Sequence, residues 1–124
     1  MELTAFFQSI VAQDEQPVVI CDMAHTIVYM NPAAISRYES RGGAALVGRS
    51  LMDCHNASSA ALIERVCAWF REDAAHDRVF TYHKAAEDAD VYMIALRDAE
   101  GRLIGYYEKH ESRAHETAAP YTME

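Results

Sequence analysis

Cysteine is scarce in this chain: Cys21, Cys54 and Cys67 are odd in number and show no Cys-x-x-Cys spacing. That pattern excludes a disulfide framework or a thiolate metal cluster as the organising device, and reduced thiols are expected. Positive charge is short as well, with 11 Lys and Arg against 19 Asp and Glu and a net charge of -8. Binding nucleic-acid phosphate draws on a basic face that releases counterions, so no nucleic-acid partner is expected. No apolar run has the length needed to cross a bilayer, and no basic start leads into an apolar block of the export type. A cytoplasmic protein with no membrane partner is therefore expected. Internal repeats and low-complexity segments are also missing.

What is present suffices for one folded domain, since 124 residues with 51% hydrophobic content leave room for a single core. Between Pro17 and Asp22, the β-branched Val18, Val19 and Ile20 read as a strand, and Ile27, Val28 and Tyr29 repeat the pattern. The polar Asp22-Met23-Ala24-His25 connection suits a hairpin turn. Asn31 is a good N-cap, and Pro32 fits the first helical position because its missing N–H would be orphaned there anyway, so a helix is predicted from Pro32 to about Tyr38. Ahead of these strands, Leu3, Phe6, Phe7, Ile10 and Val11 recur at helical spacing and predict an amphipathic helix over Glu2 to Ala12. Its apolar stripe needs a partner, either its own sheet or another subunit.

Ser58 or Ser59 can cap a longer helix running to about Glu72, with Leu62, Val66, Trp69 and Phe70 facing a sheet. Val79 to Lys84, Val91 to Leu96 and Arg102 to His110 read as three more strands, the last two joined by a turn at Asp98 to Gly101. Helices clustered between the second and third of five strands predict an α+β domain with one sheet face covered. From Ala114 onward there is no periodicity, and Pro120 intervenes, so the expected limits are a helix over 1–15, a domain over 16–113 and a flexible tail over 114–124.

The strand, turn, strand and Asn31-Pro32-Ala33-Ala34 helix entrance form one ordered set with Gly48-Arg49-Ser50 before the long helix and Arg97-Asp98-Ala99-Glu100-Gly101, then Gly105, in the last hairpin. Together they resemble the PAS domain over roughly Gln16 to Arg113. Ala24 stands where that family usually has a turn glycine. The resemblance implies a five-stranded antiparallel sheet in the order two-one-five-four-three, with helices on one face. It also implies a non-enzymatic sensor that binds a small molecule between sheet and helices, signals through a protein partner and forms a homodimer through the leading helix. The pocket positions carried over lie on the strands at Val19, Cys21, Met30, Thr81, His83, Met93, Glu108 and His110, and on the helical side at Ala34, Tyr38 and His55.

Strand alternation puts Tyr106, Glu108 and His110 on one face and Gly105, Tyr107 and Lys109 on the other. By the resemblance, the first set faces the pocket together with Thr81 and His83. A different class of reading is a ligand-free dimerisation or docking module whose pocket is filled by Met30, Tyr38, Met52 and Met93. Among cofactors, flavin photochemistry is not expected, because alignment on Gly48-Arg49 puts Leu51 at the position of the reactive cysteine. A haem-binding sensor is the alternative, with His55 at the approach to the long helix, His76 at its exit and Cys67 in its body. Adjacent side chains such as Cys54 and His55 point apart, so no catalytic pair is expected. Glu108 beside a histidine has metal-ligand chemistry, but the histidines occur singly with no i, i+4 pair, and no metal site is expected.

Overall fold

Alternating apolar residues in five short segments decide the architecture. In the computed structural model, which describes residues 1–123, they form one antiparallel sheet. Its strands are β1 (Val19–Asp22), β2 (Ile27–Met30), β3 (Arg78–Lys84), β4 (Ala89–Arg97) and β5 (Leu103–Ser112), in the order β2-β1-β5-β4-β3. The three helices are α1 (Thr4–Ala12), α2 (Pro32–Arg37) and α3 (Ala57–Glu72), and 3-10 turns at Glu39–Arg41, Gly43–Leu46 and Leu51–Cys54 link α2 to α3. This is the α+β fold and the strand order that the resemblance implied. Glu124, the end of the expected tail, lies outside the described residues. Among those described, no helix is long and apolar enough to cross a membrane.

The core lies where the inward strand residues meet the helices. Cys21, Ile27, Met30, Met93 and Tyr106 are buried from the sheet side, and Ala34, Leu46, Ile63, Cys67 and Phe70 from the other. Where β1 meets β5 the backbones approach so closely that a Cβ on Gly105 would lie 2.3 Å from the Cys21 carbonyl oxygen. Glycine is required there for space, not for an unusual φ.

Asn31 caps α2 as expected, and it also binds the segment before β1. Its Oδ1 accepts from Ala34 N and from Val18 N, each at 2.9 Å. Its Nδ2 donates to the carbonyls of Val11 at 3.1 Å, Asp14 at 3.3 Å and Gln16 at 3.0 Å. One fully buried amide thus closes the first turn of α2 and straps the end of α1 to it.

Several local expectations are corrected. The residue that caps α3 is Asn56, whose Oδ1 accepts from Ser59 N at 2.9 Å, so neither Ser58 nor Ser59 has that role. The face of α3 seated on the core is Ile63, Cys67 and Phe70, while Leu62 stays 59% exposed and Val66 and Trp69 are half-buried. Phe70 thus sits in the core as expected and Val66 and Trp69 pack at its margin, while Leu62 is left to solvent and Ile63 takes the inward place. In the β1–β2 turn the left-handed residue is His25, at φ 67°, and not Ala24. Asp22 holds that turn, its Oδ1 accepting from Ala24 N and Thr26 N. Finally, α1 buries none of its residues: Phe6, Phe7 and Ile10 face solvent, so the helix does not fold back on its own sheet.

Candidate functional site

Because α3 seats only one face, a cavity of about 1050 Å³ remains between it, the α2–α3 connection and the inner face of the sheet. Clefts that hold small molecules commonly measure roughly 300–1,000 Å³. Leu62, Val66 and Trp69 of α3 line one wall, and Val79 and Tyr82 of β3 with Met93 of β4 line the other. Exposure of Leu62 and Tyr82 marks the side on which the cavity opens.

Most of the positions expected at the pocket converge on it. Val19, Cys21, Met30, Thr81 and Met93 line it from the strands, Glu108 and His110 from β5, and Tyr38 and His55 from the helical side. Ala34 and His83 do not. Ala34 is fully buried among core residues under α2. His83 is displaced by a bulge in β3, where Phe80 pairs with Tyr92 and Tyr82 with Val91, leaving Thr81 as the extra residue. A bulge shifts the alternation by one. His83 therefore lies on the outer side, where its Nδ1 is 2.7 Å from Asp90 Oδ1, and Tyr82 takes the cavity-facing place. Nothing in the residue pattern of β3 marks that bulge, and Tyr82 was missed for this reason.

The polar end of the cavity is built by β5. His110 is buried to 7% exposure and its ring makes no hydrogen bond, the nearest charged neighbour being Glu108 Oε1 at 3.7 Å from Nε2. At that separation the contact is too long for a hydrogen bond. Burial raises the Tyr38 and Tyr82 hydroxyls above the usual phenol range, and the Glu108 carboxylate adds to both shifts. Glu108, His110, Tyr38 and Tyr82 thus share one polar region. Of the cationic side chains on the cavity, Arg41 and Arg65 are exposed.

A second polar group, unforeseen from the sequence, joins three elements. His25 Nδ1 lies 2.6 Å from the Tyr106 hydroxyl, and its Nε2 lies 2.8 Å from Glu64 Oε1. The left-handed backbone of His25 aims its ring inward, so the β1–β2 turn is tied to β5 and to the middle of α3. Burial pushes the neighbouring Cys21 thiol up to about 12 and the Cys67 thiol to about 11. Neither is a ready thiolate ligand or nucleophile at neutral pH.

For a haem, the expected candidates divide. His76 is engaged by its Nδ1 with the Trp69 carbonyl at 2.7 Å and stacks on the Trp69 ring, and Cys67 points into the core. His55 lines the cavity, with Nδ1 2.9 Å from the Leu51 carbonyl, a contact made with the backbone and not with Cys54. Among the described residues no three His, Cys, Asp or Glu side chains converge as a metal site.

The sequence matches the PAS fold family over residues 11–109. No curated protein matches it significantly. Solved structures similar to the chain include a C-terminal domain from Streptococcus mutans, at TM-score 0.66 and 18% identity, covering 86% of this chain and 81% of that one. A PAS domain from Colwellia psychrerythraea matches at TM-score 0.65 and 8% identity, over 90% of this chain and 97% of that one. VqmA of Vibrio cholerae, solved with ligand and DNA, matches at TM-score 0.60 and 16% identity, over 99% of this chain and 64% of VqmA.

Proposed function

The chain belongs to the PAS fold family, whose members are sensing and signalling modules, and from that premise we propose that it senses a small molecule held between α3 and the sheet. Binding shifts a conformational equilibrium that a protein partner reads. The observation that carries this reading is the cavity itself. Met30, Tyr38 and Met93 line it without filling it, which favours a ligand over the ligand-free docking alternative. A cleft of about 1050 Å³ that opens to solvent beside Leu62 and Tyr82 is large enough to admit a small molecule. Solution of VqmA with a ligand is consistent with the same use of the fold.

The reading is non-enzymatic. His55 spends Nδ1 on the Leu51 carbonyl, and the buried thiols of Cys21 and Cys67 are held protonated. For the partner contact we propose α1, whose Phe6, Phe7 and Ile10 are 58%, 60% and 69% exposed along one helix, with a second copy of the chain as the occupant. Native mass spectrometry of the purified protein, set against its denatured mass, tests the ligand reading. A mass excess that disappears on denaturation is expected. Bare chain mass, together with unmoved Met30 and Met93 methyl resonances across a fragment library, refutes it.

A further inference from the structure

The polar end of the cavity has a definite charge character. Glu108 carries the carboxylate there, and the nearest positive group in contact with it is the His110 imidazole at 3.7 Å, charged only when protonated. Across the sheet, Lys109 turns outward to Glu111, and Arg113 reaches Asp90 and Glu111, so these cations are committed to the opposite face. On the helical side Arg37 is paired with Glu87. The carboxylate is therefore left without a cationic partner inside the cavity, among the described residues. His110 is more than nine-tenths buried as a residue, yet its ring nitrogens make no hydrogen bond within the protein, and since no buried side-chain nitrogen or oxygen is left unsatisfied among the described residues, they are the part of it that reaches accessible space. A ring otherwise enclosed, with its polar edge open to the cavity, is placed to bond a polar group that enters there.

Tyr38 and Tyr82 lie within the field of the Glu108 carboxylate, and the apolar Val66, Val79 and Met93 line the same cavity. A carboxylate beside aromatic rings attracts a cation by charge, and a ring face offers it a second attraction. An anionic head at the same place meets the Glu108 carboxylate, whose side chain is 43% exposed, and is repelled by it.

On the reading of this cavity as a ligand site, we propose that its occupant is a small amphipathic amine: its ammonium donates to Glu108, its neighbouring polar group meets His110, and its aromatic or aliphatic body lies in the apolar cleft beneath α3. The exposed Arg41 and Arg65 are the groups that an anion would use instead, so the charge of the head decides the matter.

Three near-isosteric probes test it: 3-phenylpropan-1-amine, 3-phenylpropan-1-ol and 3-phenylpropanoate, each titrated to millimolar concentration into the full chain while the Met30 and Met93 methyl resonances are followed. The amine is expected to move the Met93 methyl and to bind on the order of tenfold more tightly than the carboxylate. Glu108→Gln, nearly isosteric, should abolish most of that preference while leaving the alcohol unchanged, and Lys109→Gln on the outer face should leave the preference intact. Circular dichroism of each variant confirms that it is folded. Equal or tighter binding of the carboxylate or the alcohol, with the same methyl shifts, overturns the amine assignment and leaves the cavity reading standing. Unmoved methyls with all three probes overturn both.

Discussion

Replacing Asn31 separates two functions that one buried amide performs. Asn31→Ala removes the α2 cap, worth about 1 kcal/mol, and strands the Val18 N–H without an acceptor, worth about 1–3 kcal/mol. The carbonyls of Val11, Asp14 and Gln16 lose their donor as well, which brings the expected loss to about 3–5 kcal/mol against a domain stability of about 5–15 kcal/mol. Asn31→Asp is the discriminating variant. It keeps the acceptor for Ala34 N and Val18 N but sets a second carboxylate oxygen against three carbonyls. The folded state then disfavours the ionised acid, and the introduced carboxyl ionises at higher pH folded than the roughly 3.9 of an unfolded aspartate. The sign follows from that direction. Stability is fully present below the unfolded value, where the protonated acid can donate to one carbonyl, and is lost as pH rises through the folded value. Urea denaturation followed by circular dichroism, with wild type measured at each pH, should show Asn31→Asp near wild type at about pH 4 and several kcal/mol below it at neutral pH. A variant as stable as wild type at neutral pH, or one with the same deficit at every pH, refutes the strap.

Gly105→Ala should destabilise by several kcal/mol or prevent folding, since its Cβ meets a backbone oxygen that no side-chain rotation can move aside; a midpoint shift within error in urea contradicts this. Cys21 and Cys67, which are buried, should resist a thiol reagent at pH 8 under native conditions while the half-buried Cys54 reacts; labelling followed by peptide mass spectrometry reads this out. The same raised thiols predict that stability falls as pH climbs above the unfolded cysteine value of about 8.5, because the unfolded chain releases protons that the folded one retains. Phe6→Glu with Phe7→Glu should convert a dimer to a monomer in light scattering, the loss of two apolar contacts amounting to a few kcal/mol, and a monomeric wild type at high concentration rules the contact out.

The elements legible from the residues were those whose signals are local. The Asn31-Pro32 helix start, the paired strands around Asp22 to His25 and the Asp98 to Gly101 turn all lie within a few positions of the residues that cause them. The strand order is different. It depends on which edges meet, and only the PAS resemblance supplied it. At the site, strand alternation placed Glu108 and His110 correctly on the cavity face because β5 runs without interruption past both. It failed at His83, where the extra Thr81 reverses the sides. On α3, Phe70 was legible as a core residue, but Leu62 and Ile63 are equally apolar, so the choice of Ile63 for the inward place falls to tertiary packing. His25, Tyr106 and Glu64 lie far apart in the chain, and their convergence has no local signature.

Met30 and Asn31 are consecutive, yet they face different parts of the molecule. Met30 forms part of the cavity wall, and Asn31 holds the carbonyl of Val11 in the last turn of α1. The shortest route from a bound molecule to the exposed helix is thus one residue junction and one hydrogen bond of 3.1 Å. The peptide between the two residues is planar, but φ and ψ on either side of it can turn, so part of any displacement of Met30 is absorbed before it reaches Asn31. Were α1 to change its angle when the cavity fills, the single bond to Val11 would carry the movement, while the bonds to Asp14 and Gln16 would hold the connection to β1 in place.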